Sequence, residues 1–320
     1  MVRIFFGLCA LGLILGVTLG FLGAFHPAFD TIAHFRWHFA LAMIFLALLG
    51  VMLRVARVPI LLIFFAAIGV WQSSAGNRMD LSKDTNASAS RSVSTSEITA
   101  QKITLLQYNL RFDNPLKDGV LAMIRDTNAD ILTLNETSRE WTASLETLKT
   151  DYPYLFHCPE WQAIGGGMIF SKFPLRADNN YCHAYAALGL TEVQFGTHWI
   201  EIGTVHMRWP WPASGPEQLN AIEPALEKIG SNAIIAGDFN ATTWSHAVRK
   251  FANLSGMNVA KGYGGTWIYK WLPASLAPFF GLPIDHVMAK GIVKIVSVKS
   301  LPAIGSDHLP LLAEISINPS

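Results

Sequence analysis

Ile234-Ile235-Ala236-Gly237-Asp238-Phe239-Asn240 reads as a short buried β-strand that stops on a glycine, a carboxylate and an amide. The apolar run from Ala233 to Ala236 has the length and β-branched content of a strand in a sheet interior. Polar groups at a strand end are held on a rigid element and presented to whatever cleft lies beyond it. Alone, such a segment is also an ordinary turn.

The pattern recurs in four more places. Leu105-Leu106-Gln107-Tyr108-Asn109, Ile131-Leu132-Thr133-Leu134-Asn135-Glu136, Gly203-Thr204-Val205-His206 and Gly305-Ser306-Asp307-His308 supply further amides, carboxylates and histidines. Turns do not require that combination five times. Between these blocks, strand-like segments are expected at Ile103–Tyr108, Ile131–Leu134, Gly167–Ser171, Leu190–Phe195, Trp199–His206, Ala233–Ala236, Ile284–Met288, Ile292–Val298 and Leu311–Ile315. Helices are expected at Gly119–Thr127 and, despite Pro224, at Gln218–Ile229. The β–α–β–β alternation predicts an α/β or α+β sandwich.

Asn135-Glu136, Gly237-Asp238-Phe239-Asn240 and Ser306-Asp307-His308, in that order, make the chain from about Ile103 to Ile317 resemble the endonuclease/exonuclease/phosphatase superfamily. That superfamily includes pancreatic-type deoxyribonucleases, abasic-site endonucleases, inositol polyphosphate phosphatases and neutral sphingomyelinases. The resemblance implies a four-layer sandwich, two mixed β-sheets flanked by helices, with the site at one sheet edge. It implies hydrolysis of phosphoesters with Mg²⁺ or Mn²⁺. Glu136 is then the expected main metal-binding carboxylate, Asn109 its companion and Asp307 an auxiliary carboxylate. Asp238 is expected to orient or activate the attacking water, Asn240 to hold a phosphate oxygen, and His206 to donate to the phosphate. His308 is the expected catalytic histidine, as base or as electrostatic stabiliser, paired with Asp285 of Pro283-Ile284-Asp285-His286-Val287. His286 reads as structural, and His157, His183, His198 and His246 carry no motif.

The chemistry agrees with this residue set. Phosphoester anions repel nucleophiles, so a site must neutralise charge developing on the non-bridging oxygens. A divalent ion does so and lowers the pKa of a bound water. Mg²⁺ takes oxygen ligands and keeps several waters, so one or two carboxylates and an amide are enough. An aspartate behind a histidine sets its tautomer and stabilises its charged form.

Charge narrows the substrates. From Glu97 onward there are 17 Lys and Arg against 20 Asp and Glu, a formal charge of −3. Duplex-DNA binders displace counterions with a basic surface, and this part of the chain has no basic excess. Phospholipid, small phosphoester and nucleic acid substrates all stay open, with a tilt toward the first two. A non-catalytic, membrane-tethered binding module is the reading from another class. No protein partner is inferable.

The overall mean hydropathy of +0.32 comes from the first 71 residues. Three apolar runs lie there, Ile4–Phe25, roughly Phe39–Leu53, and Pro59–Trp71. A spanning helix needs about 20 mostly apolar residues, which the first run meets and the others reach by borrowing neighbours such as Trp37, His38, Val55 and Gln72. Residues 1–71 are therefore expected to be an anchor of about three transmembrane helices, contacting the lipid bilayer through residues 4–71. A cleaved signal peptide is the competing reading of the first run. Residues 72–96 read as a flexible linker, and 97–320 as the phosphoesterase domain. Arg3, Arg54 and Arg57 favour a cytoplasmic N-terminus. The expectation is a multi-pass protein of a bacterial inner membrane with its catalytic domain periplasmic or extracellular.

Three smaller features remain. Cys158 and Cys182 form a disulfide if the domain is external, and are otherwise two buried thiols. Gly165-Gly166-Gly167 either opens a strand through a tight turn or cradles phosphate. Met207-Arg208-Trp209-Pro210-Trp211-Pro212, with Trp267, Trp271, Phe279 and Phe280, forms either a lipid-facing aromatic rim of the cleft or a packed loop core. Arg208 is a candidate phosphate contact.

Overall fold

The structure, a computed structural model, describes residues 2–55, 58–77, 100–159, 162–183 and 187–318. Two mixed six-stranded sheets face each other, with strand orders β11-β12-β1-β2-β4-β3 and β5-β6-β7-β8-β10-β9. The first contains β1 (Gln101–Asn109), β2 (Ile131–Thr137), β3 (Tyr154–Cys158), β4 (Gly166–Ser171), β11 (Val293–Ser300) and β12 (Leu311–Ile317). The second contains β5 (Leu175–Cys182), β6 (Leu188–Phe195), β7 (His198–His206), β8 (Ala233–Asp238), β9 (Asn258–Val259) and β10 (Asp285–Lys290). This is the expected sandwich.

Each sheet is built around one parallel pair, β1 with β2 and β7 with β8. A parallel pair needs a crossover, and here helices supply it. Helix α5 (Lys117–Thr127) joins β1 to β2, and α7 (Gly215–Leu226) joins β7 to β8. Both crossovers return the chain in the same direction, so the carboxyl ends of all four central strands lie at one end of the sandwich.

Inward-facing aliphatic residues fill the space between the sheets, among them Leu105, Ile131, Ile202, Ile234, Val287 and Ala313. On the outer faces, α5 and α6 (Arg139–Leu145) cover the first sheet, and α7 and α8 (His246–Ser255) cover the second. Each fully buried Leu, Ile or Val contributes about 1.5–3 kcal/mol relative to exposure. The strands β3 and β5, which lie at edges of different sheets, are joined by the Cys158–Cys182 disulfide. Gly165 turns with φ +81° directly before β4, and a Cβ there would strike the backbone of Thr137 and Ser138. That contact explains the start of the glycine triplet as a strand-opening turn.

Helix α1 (Val2–Gly20) contains an 18-residue apolar stretch from Arg3 to Gly20, long enough to cross a membrane. The second run is broken into α2 (Pro27–Ala33) and α3 (Arg36–Met52), which meet at 56°. Helix α4 (Val58–Asn77) is apolar only over Val58–Trp71. Among the described residues, one helix alone is long and apolar enough to span, or two if the bent pair counts as one span. That is fewer than the three expected, because the second run bends between α2 and α3 and the apolar part of α4 is too short to span. Helix α4 also runs six residues into the stretch read as linker, and 78–96 lie outside the described residues, as does Arg57.

The helices α1, α3 and α4 pack through small and medium side chains such as Ala10, Val17, Ala40, Ala47 and Ala66. The short α2 rests on the sandwich. The carboxylate of Asp30 accepts from the His246 and Ala247 N–H groups at the start of α8. Trp244 Nε1–H donates to Ala33 O at 2.8 Å. The Thr31 hydroxyl donates to Trp211 O at 2.8 Å, and His38 Nε2–H donates to Phe280 O at 2.7 Å.

Candidate active site

Register brings the strand-end residues together. Asn109 of β1 lies opposite Asn135 of β2, and His206 of β7 lies opposite Asp238 of β8. On the other side of β8, Asp238 lies opposite Asp285. Gly237 makes this pairing possible, because a Cβ there would collide with the Val205 backbone. Glu136 and Asn240, the residues just inside the cleft, have positive φ of 57° and 48°. Non-glycine residues in that region store strain, which recurs at functional sites.

The Asn109 side chain connects the two sheets. Its Nδ2–H₂ donates to Glu136 Oε1 at 3.0 Å and to Asp238 Oδ2 at 2.9 Å. Its Oδ1 accepts from Arg111 N at 3.0 Å, so as placed it is the amide nitrogen, not the oxygen, that faces the carboxylates. Glu136 Oε2 accepts from Phe112 N at 2.8 Å. His206 Nε2 stands 3.8 Å from Glu136 Oε1 and 3.9 Å from Asp238 Oδ2. Asn240 N–H donates to Asp238 Oδ1 at 2.8 Å, and its Nδ2 donates to Met207 O at 2.6 Å.

His308 enters from the loop before β12. Its Nδ1–H donates to Asp285 Oδ2 at 2.9 Å, which leaves Nε2 facing Asp238 Oδ2 at 3.7 Å. Asp285 Oδ1 accepts from Gln107 Nε2 at 3.1 Å. The Ser306 hydroxyl donates to Asn109 O and accepts from His308 N–H, which ties this loop to β1.

Burial sets the electrostatics. It pushes the Asp238 carboxyl up to about 8, against the pull of His308. Burial alone would lower His308, but the carboxylates of Asp285 and Asp238 outweigh it and push the imidazole up to about 10. Burial would raise Asp285, yet the charge and hydrogen bond of His308 hold it below the ordinary aspartate range. Burial lowers His206, opposed by Glu136. Ligand atoms of Asp238, Asp285 and His308 lie within 4.8 Å of one another. Both Asp285 oxygens in that trio are already engaged, so it reads as a proton-holding relay. Glu136 and Asp238, by contrast, aim oxygens at one point beside the open cleft. Glu136 and Asp238 place hard oxygen donors around one neutral amide, a set that fits a divalent cation, whose charge would favour the ionised form of Asp238.

The cleft has a volume of about 620 Å³ and contains Glu136, His206, Arg208, Asp238, Asn240, Asp307 and His308 in its wall. Every expected site residue is thus in or directly behind one cleft. Asp307 Oδ2 accepts from Trp267 Nε1 at 3.0 Å. Trp209 stacks edge-on against Trp267, with ring centroids 5.1 Å apart. The Arg208 backbone N–H donates to Gln218 Oε1 and its Nη1 to Ser214 Oγ.

Some contributors were given no role by the sequence. Asn135 Oδ1 accepts from Asp238 N, and its Nδ2 donates to Thr204 Oγ1, which locks the two sheets together under the site. Thr266 Oγ1 accepts from the Ile284 and Asp285 N–H groups. A signal existed for Asn135 and Gln107. Gln107/Asn109 and Thr133/Asn135 place polar residues at period two inside apolar strands, and therefore on one face. Thr266 lies in irregular chain and leaves no such trace.

The fold is shared with several solved structures. An endonuclease/exonuclease/phosphatase from Beutenbergia cavernae matches with a TM-score of 0.57 at 16% identity, covering 68% of this chain and 72% of that one. TDP2 from D. rerio, complexed with a single strand DNA product, matches with a TM-score of 0.55 at 15% identity over 67% and 99% of the two chains. A mutant beta toxin from Staphylococcus aureus with bound magnesium ions matches with a TM-score of 0.51 at 14% identity over 67% and 99%. No curated protein matches the sequence. A family model described as the Endonuclease/Exonuclease/phosphatase family matches residues 106–308, from the end of β1 to His308. That span holds the whole acid, amide and histidine set assembled above, and the chain belongs to the endonuclease/exonuclease/phosphatase family.

Proposed function

We propose that this chain is a membrane-anchored, divalent-metal-dependent phosphoester hydrolase. The observation that carries the reading is the meeting of Glu136, Asn109 and Asp238 from two sheets at one point, with His206 and His308 beside it. Mg²⁺ or Mn²⁺ would be held by Glu136, with Asn109 and Asp307 as companions. Rotation of the Asn109 amide would turn Oδ1 toward the ion. When bound, the ion neutralises charge on the phosphate and polarises water. The magnesium ions in the beta toxin structure support this choice of cofactor.

The chain's own residues then have separable tasks. Asp238, with its raised proton affinity, orients the attacking water and takes its proton. His308, held positive by Asp285, faces the oxygens that gain charge as water adds to phosphorus. His206 and Asn240 fix the phosphate, and Arg208 lines the approach to it. None of these steps is asked to do more than positioning and electrostatics, which is where phosphoryl-transfer catalysis resides.

The anchor reading is a set of apolar helices in the bilayer with the sandwich outside the cytoplasm. Arg3 and Arg54 lie at the end of the bundle away from the sandwich, as the positive-inside rule requires of a cytoplasmic end. The Cys158–Cys182 bond is the kind formed in oxidising compartments. A bacterial inner membrane meets both conditions. A nuclease is the second reading, favoured by the single strand DNA product bound to the TDP2 relative.

The deciding experiment uses the full-length chain in detergent micelles with Mg²⁺, assayed against bis(p-nitrophenyl) phosphate, DNA, RNA, phospholipids and inositol phosphates. Hydrolysis of at least one, abolished by EDTA and by His308→Ala, is the expected result. Silence on the whole panel with both Mg²⁺ and Mn²⁺ would leave a non-catalytic binding module.

A further inference from the structure

The cleft does not end at the sandwich. A second cavity of about 180 Å³ adjoins it, and Met207, Arg208 and Asn240 belong to the walls of both. Its remaining wall is largely apolar, with Leu219, Phe239 and Phe251 from the sandwich. Phe25 and Pro27 come from the N-terminal helical unit, so the anchor itself forms part of this wall. A polar compartment with carboxylates and histidines therefore shares a wall, formed by Met207, Arg208 and Asn240, with a largely apolar one at the seam with the N-terminal helices. A phosphoester that is polar throughout has no use for the second compartment. An amphiphile has a use for both.

The outer surface points the same way. Trp271 is 77% exposed, Phe279 69%, Phe280 54% and Trp211 45%. Exposed aromatics in such a cluster mark an interaction surface. The backbones of Phe279, Phe280 and Trp211 are fastened to the end of the helical bundle. Trp37 Nε1–H donates to Phe279 O at 3.3 Å, His38 to Phe280 O, and Thr31 to Trp211 O. Trp37 and His38 open α3, while Thr31 lies in α2, so the aromatic rim sits level with the point where the apolar helices end. Membrane interfaces favour Trp and other aromatics at that depth.

Building on the hydrolase reading, we infer that the substrate is a phospholipid drawn from the bilayer that holds the chain's own anchor. Its phosphodiester occupies the cleft between Glu136, His206 and His308. Its apolar portion leaves through the seam cavity lined by Phe25 and Pro27 and past the aromatic rim into the bilayer. Water oxygen forms a bond to phosphorus, and one ester P–O bond breaks. The departing oxygen takes a proton, giving one alcohol and one phosphomonoester with no change of oxidation state.

The test uses the full-length chain reconstituted with Mg²⁺ in vesicles of phosphatidylglycerol and phosphatidylcholine, with bis(p-nitrophenyl) phosphate added as a soluble diester to the same vesicles. Two variants change exposed positions, so folding is preserved. W271S/F279S strips the rim, and Asn220→Trp narrows the seam cavity. The wild type is expected to release lipid headgroup products, and each variant to lower the ratio of lipid to soluble-diester turnover about tenfold or more. Turnover of the soluble diester without lipid cleavage overturns the inference while the hydrolase reading stands. An unchanged ratio in both variants overturns it as well. No turnover of either substrate sinks the hydrolase reading and this inference together.

Discussion

His308 and Asp285 form a buried hydrogen-bonded pair, Nδ1 to Oδ2 at 2.9 Å, in which Asp285 is completely enclosed. The second Asp285 oxygen is taken by Gln107, so the carboxylate has one orientation available. The pair fixes the imidazole with Nε2 toward the cleft and keeps it charged. Asp285→Asn replaces an acceptor with an amide and removes the charge that raises His308. Turnover is expected to fall about 10²–10⁴-fold with a smaller change in KM. Steady-state kinetics on a soluble phosphodiester checks this, and a wild-type kcat for the variant would refute the pairing's role.

Glu136 is expected to set the affinity for the divalent ion. Glu136→Gln keeps the shape and the Phe112 N–H contact but loses the charge. The Mg²⁺ concentration for half-maximal activity should rise about 100-fold, on the scale of losses seen when metal-site groups are altered. Chelation should silence the wild type reversibly. Isothermal titration of Mg²⁺ into both proteins gives the comparison independent of turnover.

His286 is a structural histidine and should make stability depend on acid. Burial drives it down to about 4. Its Nε2–H donates to Ala241 O at 2.7 Å, and Nδ1 accepts the Tyr263 hydroxyl at 2.6 Å, so the neutral ring is the folded form. In the unfolded chain a histidine titrates near 6.5. The unfolded state therefore takes up its proton first as pH falls. Stability from this group is complete above about pH 6.5 and declines toward pH 4, by about 3 kcal/mol at most. Thermal melts from pH 7 to 4 should show a steeper decline for wild type than for His286→Asn, and parallel curves would rule the account out.

Asp30 binds the N-terminal helical unit to the sandwich. It is 7% exposed, and its carboxylate satisfies two N–H groups at the first turn of α8, where a helix leaves donors unpaired and favours negative charge. Asp30→Ala should cost about 1–3 kcal/mol. It should also raise hydrogen exchange at the amides of His246 and Ala247 above that of the β8 amides. Unchanged protection at those two positions would show that the joint does not depend on Asp30.

Much of the site is legible in the sequence. The motif blocks ending in Asn109, Glu136, His206, Asp238, Asn240 and His308 are local. A strand's apolar run and the polar residues that end it are neighbours in the chain, so composition and period reveal them. The Asp285–His308 pairing is expected from resemblance and is met at hydrogen-bond distance. The strands β3, β5 and β9 and the helices α6 and α8 were not foreseen. Tyr154–Cys158 and Leu175–Cys182 are edge strands with polar or exposed positions, which weakens the buried-strand signal. The cysteine question left open by sequence is answered by the disulfide that joins those same two strands.

Residue type and spacing determined the strand-end motif blocks, and the resemblance those blocks carry implied the sandwich, the family and the candidate site groups, because each block is written in a stretch of a few residues. Tertiary structure alone decided how the N-terminal helices meet the sandwich. The Asp30 to His246 contact spans 216 residues, and the Thr31 to Trp211 contact spans 180. A hydrogen bond of that kind depends on where two rigid bodies come to rest. Nothing in the neighbourhood of Asp30 along the chain announces that its partner is the first turn of α8.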